Sequence, residues 1–442
     1  MGKLDALWMP YTGNREFKRA PRLIARAEGV NYFTPEGRPI LDGISGLWCV
    51  SGGHARKPII EAMERQMRTL DFASSFQFGH ESGFELAERI AALAPGPLNR
   101  VFFTNSGSES CDTALKIALA YWRARGEGHR SVFVGRERGF HGVGFGGLSV
   151  GGMTANRRAF PSMFSRVDHL RHTYLPEHHA FARGQPQEGA YLADELEERI
   201  LPLHDPSNVA AVIVEPVSGS TGVLVPPVGY LERLREICDR HGILLIFDEV
   251  ITGFGRTGAM FGAERFGVVP DMICFAKCVT NGAAPMGGVI VSDQVYETCM
   301  VGPEHAAELM HGYTYSAHPL SCAAAIANLD LIAGEGLVER VRELAPYFEE
   351  RVHSLKGEPG VISIRNIGLA AAVELAPEPG RPGLRGHRAL LRCFELGLLT
   401  RAPGDALLLA PPFISERSDI DRAVDMLGRA IRDVAGGADD EA

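Results

Sequence analysis

Apolar residues recur at helical spacing from Pro58 to Leu70, with Ile59, Ile60, Met63, Met67 and Leu70 on one face. FELAERIAALAP predicts a second helix, stopped by Pro95 and Gly96. RVFFTNSGSESCDTALKIALAYWRARG reads as a strand over Val101–Phe103, a polar turn and a long helix to Arg125. SVFVGRERGFHG, NVAAVIVEPVSG, ILLIFDEV, DMICFAK and GGVIVSD read as short strands, and YLERLREICDRHG as an amphipathic helix closing at Gly242. Strands alternating with helices predict an α/β fold, with a mostly parallel sheet covered on both faces. Functional groups in such sheets gather beyond the carboxyl ends of the strands. Glu215, Asp248 and Lys277 all fall at such ends, which points to one shared site.

The texture changes after residue 330. Leu337, Val341, Leu344, Phe348, Val352 and Leu355 form a helical stripe, expected to kink or break at Pro346. GVISIRNIGLAAAVEL reads as strands and DIDRAVDMLGRAIRDVAGG as a last amphipathic helix. This α+β character predicts a smaller domain over 331–442, after a large domain over 58–330. Residues 1–57 form an N-terminal segment expected to contribute to the small domain and to the active site. The closing GGADDEA is expected to be disordered. No internal repeat or long linker is visible.

Composition narrows the function. The 442 residues are 45% hydrophobic and 22% charged, ordinary for a globular chain with a large core. A net charge of −9 with dispersed basic residues gives no nucleic-acid or polyanion signature. The longest aliphatic runs, such as Ile243–Phe247, are strand-sized, far short of the roughly 20 residues a membrane span needs. MGKLDALWMPYTGNREF lacks the apolar core of a signal peptide, and Ala6 breaks the myristoylation pattern behind Gly2. A cytoplasmic protein is the default expectation. The eight cysteines include no CxxC pair, and Cys274 and Cys278 have no matching second pair, so no metal is expected and reduced buried thiols are. The histidines of DHLRHTYLPEHHAF match no ligand set and read as loop and surface residues.

Lys277 ends a strand that should be buried. A desolvated lysine loses its proton more easily, and a neutral amine forms a Schiff base with a carbonyl. Pyridoxal phosphate is the aldehyde most often held this way, and it needs an acid for its ring nitrogen, donors for its phosphate and a flat stacking partner. Asp248 answers the first need. Ser106, Gly107 and Ser108 open a helix, where free amides and the helix dipole favour a phosphate. Phe140 offers a stacking face, and Val250, two residues past Asp248 on an extended strand, packs on the same side. Taken singly, each has a plainer explanation: a turn-forming Asp, a helix cap, a core Phe. Their shared strand-end placement is what joins them. GVGFGG and GFGRTG both fit GxGxxG, but the first neither follows a strand directly nor opens a convincing helix. The second follows a strand without a nucleotide-binding helix behind it, so neither supports a nicotinamide or flavin site.

With these residues in place, IFDEVITGFGRTGAMFGAERFGVVPDMICFAKCVTNGAAPMGGV resembles the signature of class III (ω-amino-acid) aminotransferases, fold-type I pyridoxal-phosphate enzymes. LWMPYTGNREF, GISGLWCVSGGH, FFTNSGSESCDTALK, EPVSGSTGVLVPP and HGYTYSAHPLSCAAA extend the resemblance over nearly the whole chain. LWMPYT and the Trp48 motif are most similar to the β-alanine–pyruvate aminotransferase group. The resemblance implies that Lys277 is the Schiff-base and proton-transfer lysine and that Asp248 pairs with the pyridine nitrogen. Gly107 and Ser108 would hold the phosphate, with Ser106, Phe140, His141 and Val250 in the same cofactor site and Glu215 orienting it. Thr314 would reach the cofactor phosphate of a neighbouring subunit. That implies a homodimer with shared active sites, with a tetramer left open. Arg401, in LLTRAPGDALLLAPP, would bind the carboxylate of the keto acid and swing away for the amine, and Trp48 would line the pocket, unless it is plain core. The group often has tyrosine where this chain has Phe140; stacking survives that change, a hydroxyl contact does not. The implied reaction moves an amino group from an ω-amino acid or primary amine, such as β-alanine, to pyruvate by a ping-pong cycle. Aromatic-amine, diamine, taurine and γ-aminobutyrate aminotransferases and an aminomutase are alternatives in the superfamily, and a non-catalytic binding protein on the same fold is one outside it.

Overall fold

The computed structural model describes residues 4–160 and 166–436. In chain order its strands are β1 (Arg26–Glu28), β2 (Asn31–Phe33), β3 (Pro39–Asp42), β4 (Leu98–Thr104), β5 (Val132–Glu137), β6 (Gly151–Gly152), β7 (Val167–Leu170), β8 (Val209–Val214), β9 (Leu244–Asp248), β10 (Met272–Ala276), β11 (Gly287–Ser292), β12 (Val361–Ile367), β13 (Ala370–Leu375), β14 (Leu398–Leu399) and β15 (Ala406–Leu409). The central eight-stranded sheet runs β4-β11-β10-β9-β8-β5, with β6 and β7 both paired to β5. Its pairs are parallel except those of β11, which runs antiparallel to both β10 and β4. Two reversals leave β4 pointing the same way as β8, β9 and β10. The carboxyl ends of those four strands therefore meet at one rim.

Alternate residues of the sheet enter two different cores. Val212, Val214, Leu245, Phe247, Ile273 and Phe275 pack with the helix Tyr230–His241. Ala211, Ile213, Leu244, Ile246, Met272 and Cys274 pack with the helix Gly107–Ala124. Both faces are thus buried, which is why these strands read as unbroken apolar runs. The helix Tyr230–His241 closes on Gly242 in the left-handed region. Three-stranded β12-β13-β15 and four-stranded β1-β2-β3-β14 sheets lie outside the central one, and the latter pairs the N-terminal segment with a strand from near the C-terminus.

Of the kink or break expected at Pro346, the break is absent: one helix runs Leu337–His353 with Pro346 inside it. A proline inside a helix costs about 3 kcal/mol, while full burial of each large apolar side chain returns roughly 1.5–3 kcal/mol. Leu337, Val338, Val341, Leu344, Phe348 and Val352 are all buried, which is enough to carry the helix through. GVGFGG does open a helix, Phe145–Val150, contrary to the sequence reading. Its glycines serve close packing, since a Cβ on Gly144 would stand 2.1 Å from Asp112 Oδ2 and one on Gly147 2.0 Å from the His141 carbonyl. His179 is buried rather than on the surface: its Nδ1 accepts from the Leu175 amide (3.1 Å) and its Nε2 donates to the Glu188 carbonyl (2.8 Å). The GGADDEA expectation falls, beyond Gly436, outside the described residues. No single helix among the described residues is long and apolar enough to cross a membrane.

Candidate active site

A cavity of about 380 Å³ opens at the rim where the four strand ends meet. Lys277 lies one residue past β10, Asp248 ends β9, Glu215 follows β8, and Ser106, Gly107 and Ser108 follow β4. All six line the cavity, together with Phe140 and Val250. The side of β11 that begins at Gly287 reaches the same rim, so Ala284, Pro285 and Met286 form an apolar wall.

Lys277 has φ of 51°, a left-handed conformation that is costly for a residue with a side chain. It opens a tight turn over Lys277–Thr280 that takes the chain off the strand. Among the described residues its Nζ has no hydrogen-bond or ion-pair partner. Burial pulls its proton affinity below the usual lysine range, against the opposing pull of Cys49, Asp248 and Glu215. That shift moves the Lys277 amine towards its neutral, nucleophilic form.

Asp248 is held by three donors. His141 Nδ1 lies 2.9 Å from Oδ2, the Cys111 thiol 3.2 Å from the same oxygen, and the Val250 amide donates to Oδ1 at 3.1 Å. His141 is buried, and its Nε2 has no partner, so the network places the ring proton on Nδ1, facing the carboxylate. Val250 reaches the cavity from a turn, not from the extended strand that the sequence predicts, because β9 stops at Asp248. Glu215 is buried and accepts the Phe140 amide (2.9 Å); burial lifts its carboxyl to about 7, and nearby Asp248 adds to the rise. The loop that carries Phe140 is thus tied to the end of β8.

The helix start at Gly107 is built for an anion. Ser106 Oγ accepts the Glu109 amide (3.2 Å), and Glu109 Oε2 accepts the Asn105 amide (2.7 Å), a reciprocal cap. The amides of Gly107 and Ser108 precede that bond and have no partner within the helix. A Cβ on Gly107 would stand 2.8 Å from both methyl carbons of Val250, so only glycine lets the turn and Val250 close on the cavity together. Ser108 Oγ accepts the Val143 amide at 3.1 Å, which leaves its own proton to donate.

Three sequence-predicted residues lie elsewhere. Trp48 is 3% exposed and outside the cavity wall. It packs in the core over the guanidinium of Arg256, 6.0 Å from the ring centre. Thr314 and Arg401 are exposed and do not line this chain's cavity. The structure also adds residues. Cys49 lines the cavity beside Lys277, and Cys111 touches Asp248. Arg256, inside the second GxGxxG match, is fully buried. It donates to the Leu369 and Pro411 carbonyls and to Ser45 and Ser51 Oγ, tying the N-terminal segment to the C-terminal region. Cys111 had a usable signal: Asp248 shares its strand face with Leu244 and Ile246, which pack on the helix Gly107–Ala124 that carries Cys111.

The family model for class III aminotransferases matches residues 12–431. The chain belongs to the class III aminotransferases. It is 55% identical over 431 residues to an omega-aminotransferase of Caulobacter vibrioides, covering 98% of each chain. It is 52% identical over 432 residues to an omega-amino acid–pyruvate aminotransferase of Pseudomonas putida, covering 97% of this chain and 96% of the other. Among solved structures, an omega transaminase of Pseudomonas jessenii in complex with PMP superposes with a TM-score of 0.92 at 32% identity, covering 99% of this chain and 98% of the other. An amine transaminase from an uncultivated Pseudomonas species, in a PLP-bound form, gives 0.88 at 33%, covering 96% and 98%. Class III aminotransferases use pyridoxal phosphate, and this aminotransferase has the groups to fit it. An unpartnered amine, a buried carboxylate and two free helix-start amides face one cavity, beside a glycine that a Cβ would close.

Proposed function

We propose that this aminotransferase moves the amino group of an ω-amino acid or primary amine, such as β-alanine, to pyruvate, giving alanine. The observation that carries the reading is the unpartnered Lys277 amine, which shares one cavity with Asp248 and the helix start at Gly107. The names of the relatives support the substrate pair: omega-amino acid–pyruvate in Pseudomonas putida, and beta-alanine–pyruvate in a Pseudomonas aeruginosa protein 52% identical over 435 residues.

Bound pyridoxal phosphate would supply the carbonyl that takes up the amino group and the electron sink that loosens the neighbouring C–H bond. The residues of this chain supply the rest. Lys277 Nζ, its proton held less tightly because of burial, would hold the cofactor aldehyde and would take and return a proton at the substrate carbon. Asp248 would pair with the ring nitrogen and keep it protonated. The amides of Gly107 and Ser108 and the Ser108 hydroxyl bind the phosphate. Phe140 and Val250 would pack against the cofactor ring, and Glu215 fixes the Phe140 loop through the Phe140 amide. Arg401, exposed outside the cavity wall, would swing in to meet the carboxylate of the keto acid, a task suited to its bidentate fork, and away for the amine. Thr314 completes the phosphate site of a second copy in a homodimer. The exposed Phe72, Phe76, Phe78, Phe84 and Tyr315 support that assembly as apolar surface; Phe72 packs edge-on against Tyr315, the residue after Thr314, with 5.9 Å between ring centres.

The deciding experiment is an absorbance spectrum of the purified protein, before and after β-alanine and then pyruvate. The expected result is a lysine-bound cofactor band that bleaches with β-alanine and returns with pyruvate. Bleaching by a bulky aromatic amine but not by β-alanine would move the substrate class. Absence of any band after added pyridoxal phosphate would overturn the assignment.

A further inference from the structure

Asp248 has two neighbours on a single carboxylate oxygen. A carboxylate offers about four acceptor directions, two on each oxygen. At Asp248, Oδ2 takes the Cys111 thiol (3.2 Å) and His141 Nδ1 (2.9 Å), and Oδ1 takes the Val250 amide (3.1 Å). Three directions are filled from within the protein, and one, on Oδ1, remains for a donor in the cavity that Asp248 lines. Cys111 is fully buried on the helix whose first turn carries Gly107 and Ser108.

We propose that Cys111 is a positioning residue for the Asp248 carboxylate: its thiol and His141 together fill Oδ2, fix the rotation of the group and leave Oδ1 to meet the cofactor. The inference rests on the aminotransferase reading of the cavity. The donor role requires a protonated thiol. The neighbouring Cys274 thiol, then burial, then the charge of Asp248 all hold the Cys111 proton well above the usual thiol range. The thiol also ties two functions to one helix. The same element that presents its start to the phosphate braces the carboxylate, so a shift of the helix moves both.

The test is infrared spectroscopy of the S–H stretch, a region free of other protein bands. Protein without cofactor is compared with its Cys111→Ser variant, so that the difference isolates one thiol among eight. The Cys111 band should lie at the low-frequency end, as for a thiol that donates to an anion, and should rise in Asp248→Asn. On loading pyridoxal phosphate it should also rise, because the carboxylate then shares its charge with a second donor. Cys111→Val, which cannot donate, should lose cofactor about fivefold faster on dilution, and Cys111→Ser should restore retention. A band at the free-thiol position, or one unmoved by Asp248→Asn, would overturn the contact. A low-frequency band that does not move on loading, in a protein whose visible spectrum shows bound cofactor, would overturn the positioning role. A protein that takes up no cofactor at all would instead sink the aminotransferase reading, with the cofactor-free spectrum still deciding whether Cys111 braces Asp248.

Discussion

At the scale of single residues, the chemistry concentrates in side chains whose surroundings oppose their ordinary charge. Lys277 is held towards neutrality by burial, on a strained backbone that nothing in the packing of a plain core residue would require. Lys277→Ala should abolish both the visible cofactor band and turnover, by about a thousandfold or more; steady-state rates near those of the parent would refute the assignment. Arg401 is the second test. Arg401→Ala removes a charge-assisted fork, so the KM for pyruvate should rise by about tenfold to a hundredfold. The KM for a carboxylate-free amine should stay within about twofold. Equal effects on both substrates would remove the arginine from recognition. Lys277, Asp248 and Glu215 are legible in the sequence because a charged residue at the end of an apolar strand is conspicuous. Cys111 and Trp48 are not. A cysteine in a helix reads as core whether or not it touches a carboxylate, and the Trp48 motif does not reveal that Arg256, more than 200 positions on, will cover the ring.

Among the elements, the helix Gly107–Ala124 bears most of the functional geometry: its start offers the amides, its flank reaches Asp248, and its buried face closes one side of the sheet. The tightest point is Gly107 against Val250. Gly107→Ala places a methyl group 2.8 Å from two Val250 carbons, so either the turn or Val250 must move into the cavity. Overpacking of this kind costs about 1–3 kcal/mol. Here it should appear as about tenfold or greater weakening of pyridoxal-phosphate affinity, read by fluorescence titration, with little change in far-ultraviolet circular dichroism. Unchanged affinity would show that the contact is soft. Local pattern predicts these strands and helices well, since burial on both faces leaves continuous apolar runs between polar turns. Pattern cannot give the reversed direction of β11 or the order β4-β11-β10. Both depend on which edges meet in space, and a buried antiparallel strand has the same composition as a parallel one. The continuity of the helix through Pro346, which pattern left open between a kink and a break, has a related reason: the local cost is visible in sequence, the tertiary burial that offsets it is not.

For the whole molecule, the consequence of stacking strand ends at one rim is a set of carboxyl groups buried where charge is costly. Glu249, next to Asp248, is 1% exposed and takes the Ala263 amide (2.8 Å), the Gly262 amide and the Thr252 hydroxyl (2.9 Å), pinning the short helix Gly262–Phe266 under the rim. Those donors favour the charged form, but burial outweighs them and lifts the group from 4.5 to about 7. Its proton is therefore held more tightly in the folded than in the unfolded chain. Between about pH 4.5 and 7 the native state binds the extra proton, and stability falls as pH rises through that window. The full difference is worth roughly 3 kcal/mol. Thermal unfolding of the cofactor-free protein should thus show a lower Tm at pH 8 than at pH 5.5, with part of that loss assigned to this side chain. Glu249→Gln cannot ionise. Its Tm should be lower than the parent's at pH 5.5, where an amide fits three donors poorly, yet fall less between the two pH values. A parallel pair of Tm curves would show that Glu249 is ionised throughout, and that the three donors outweigh burial after all.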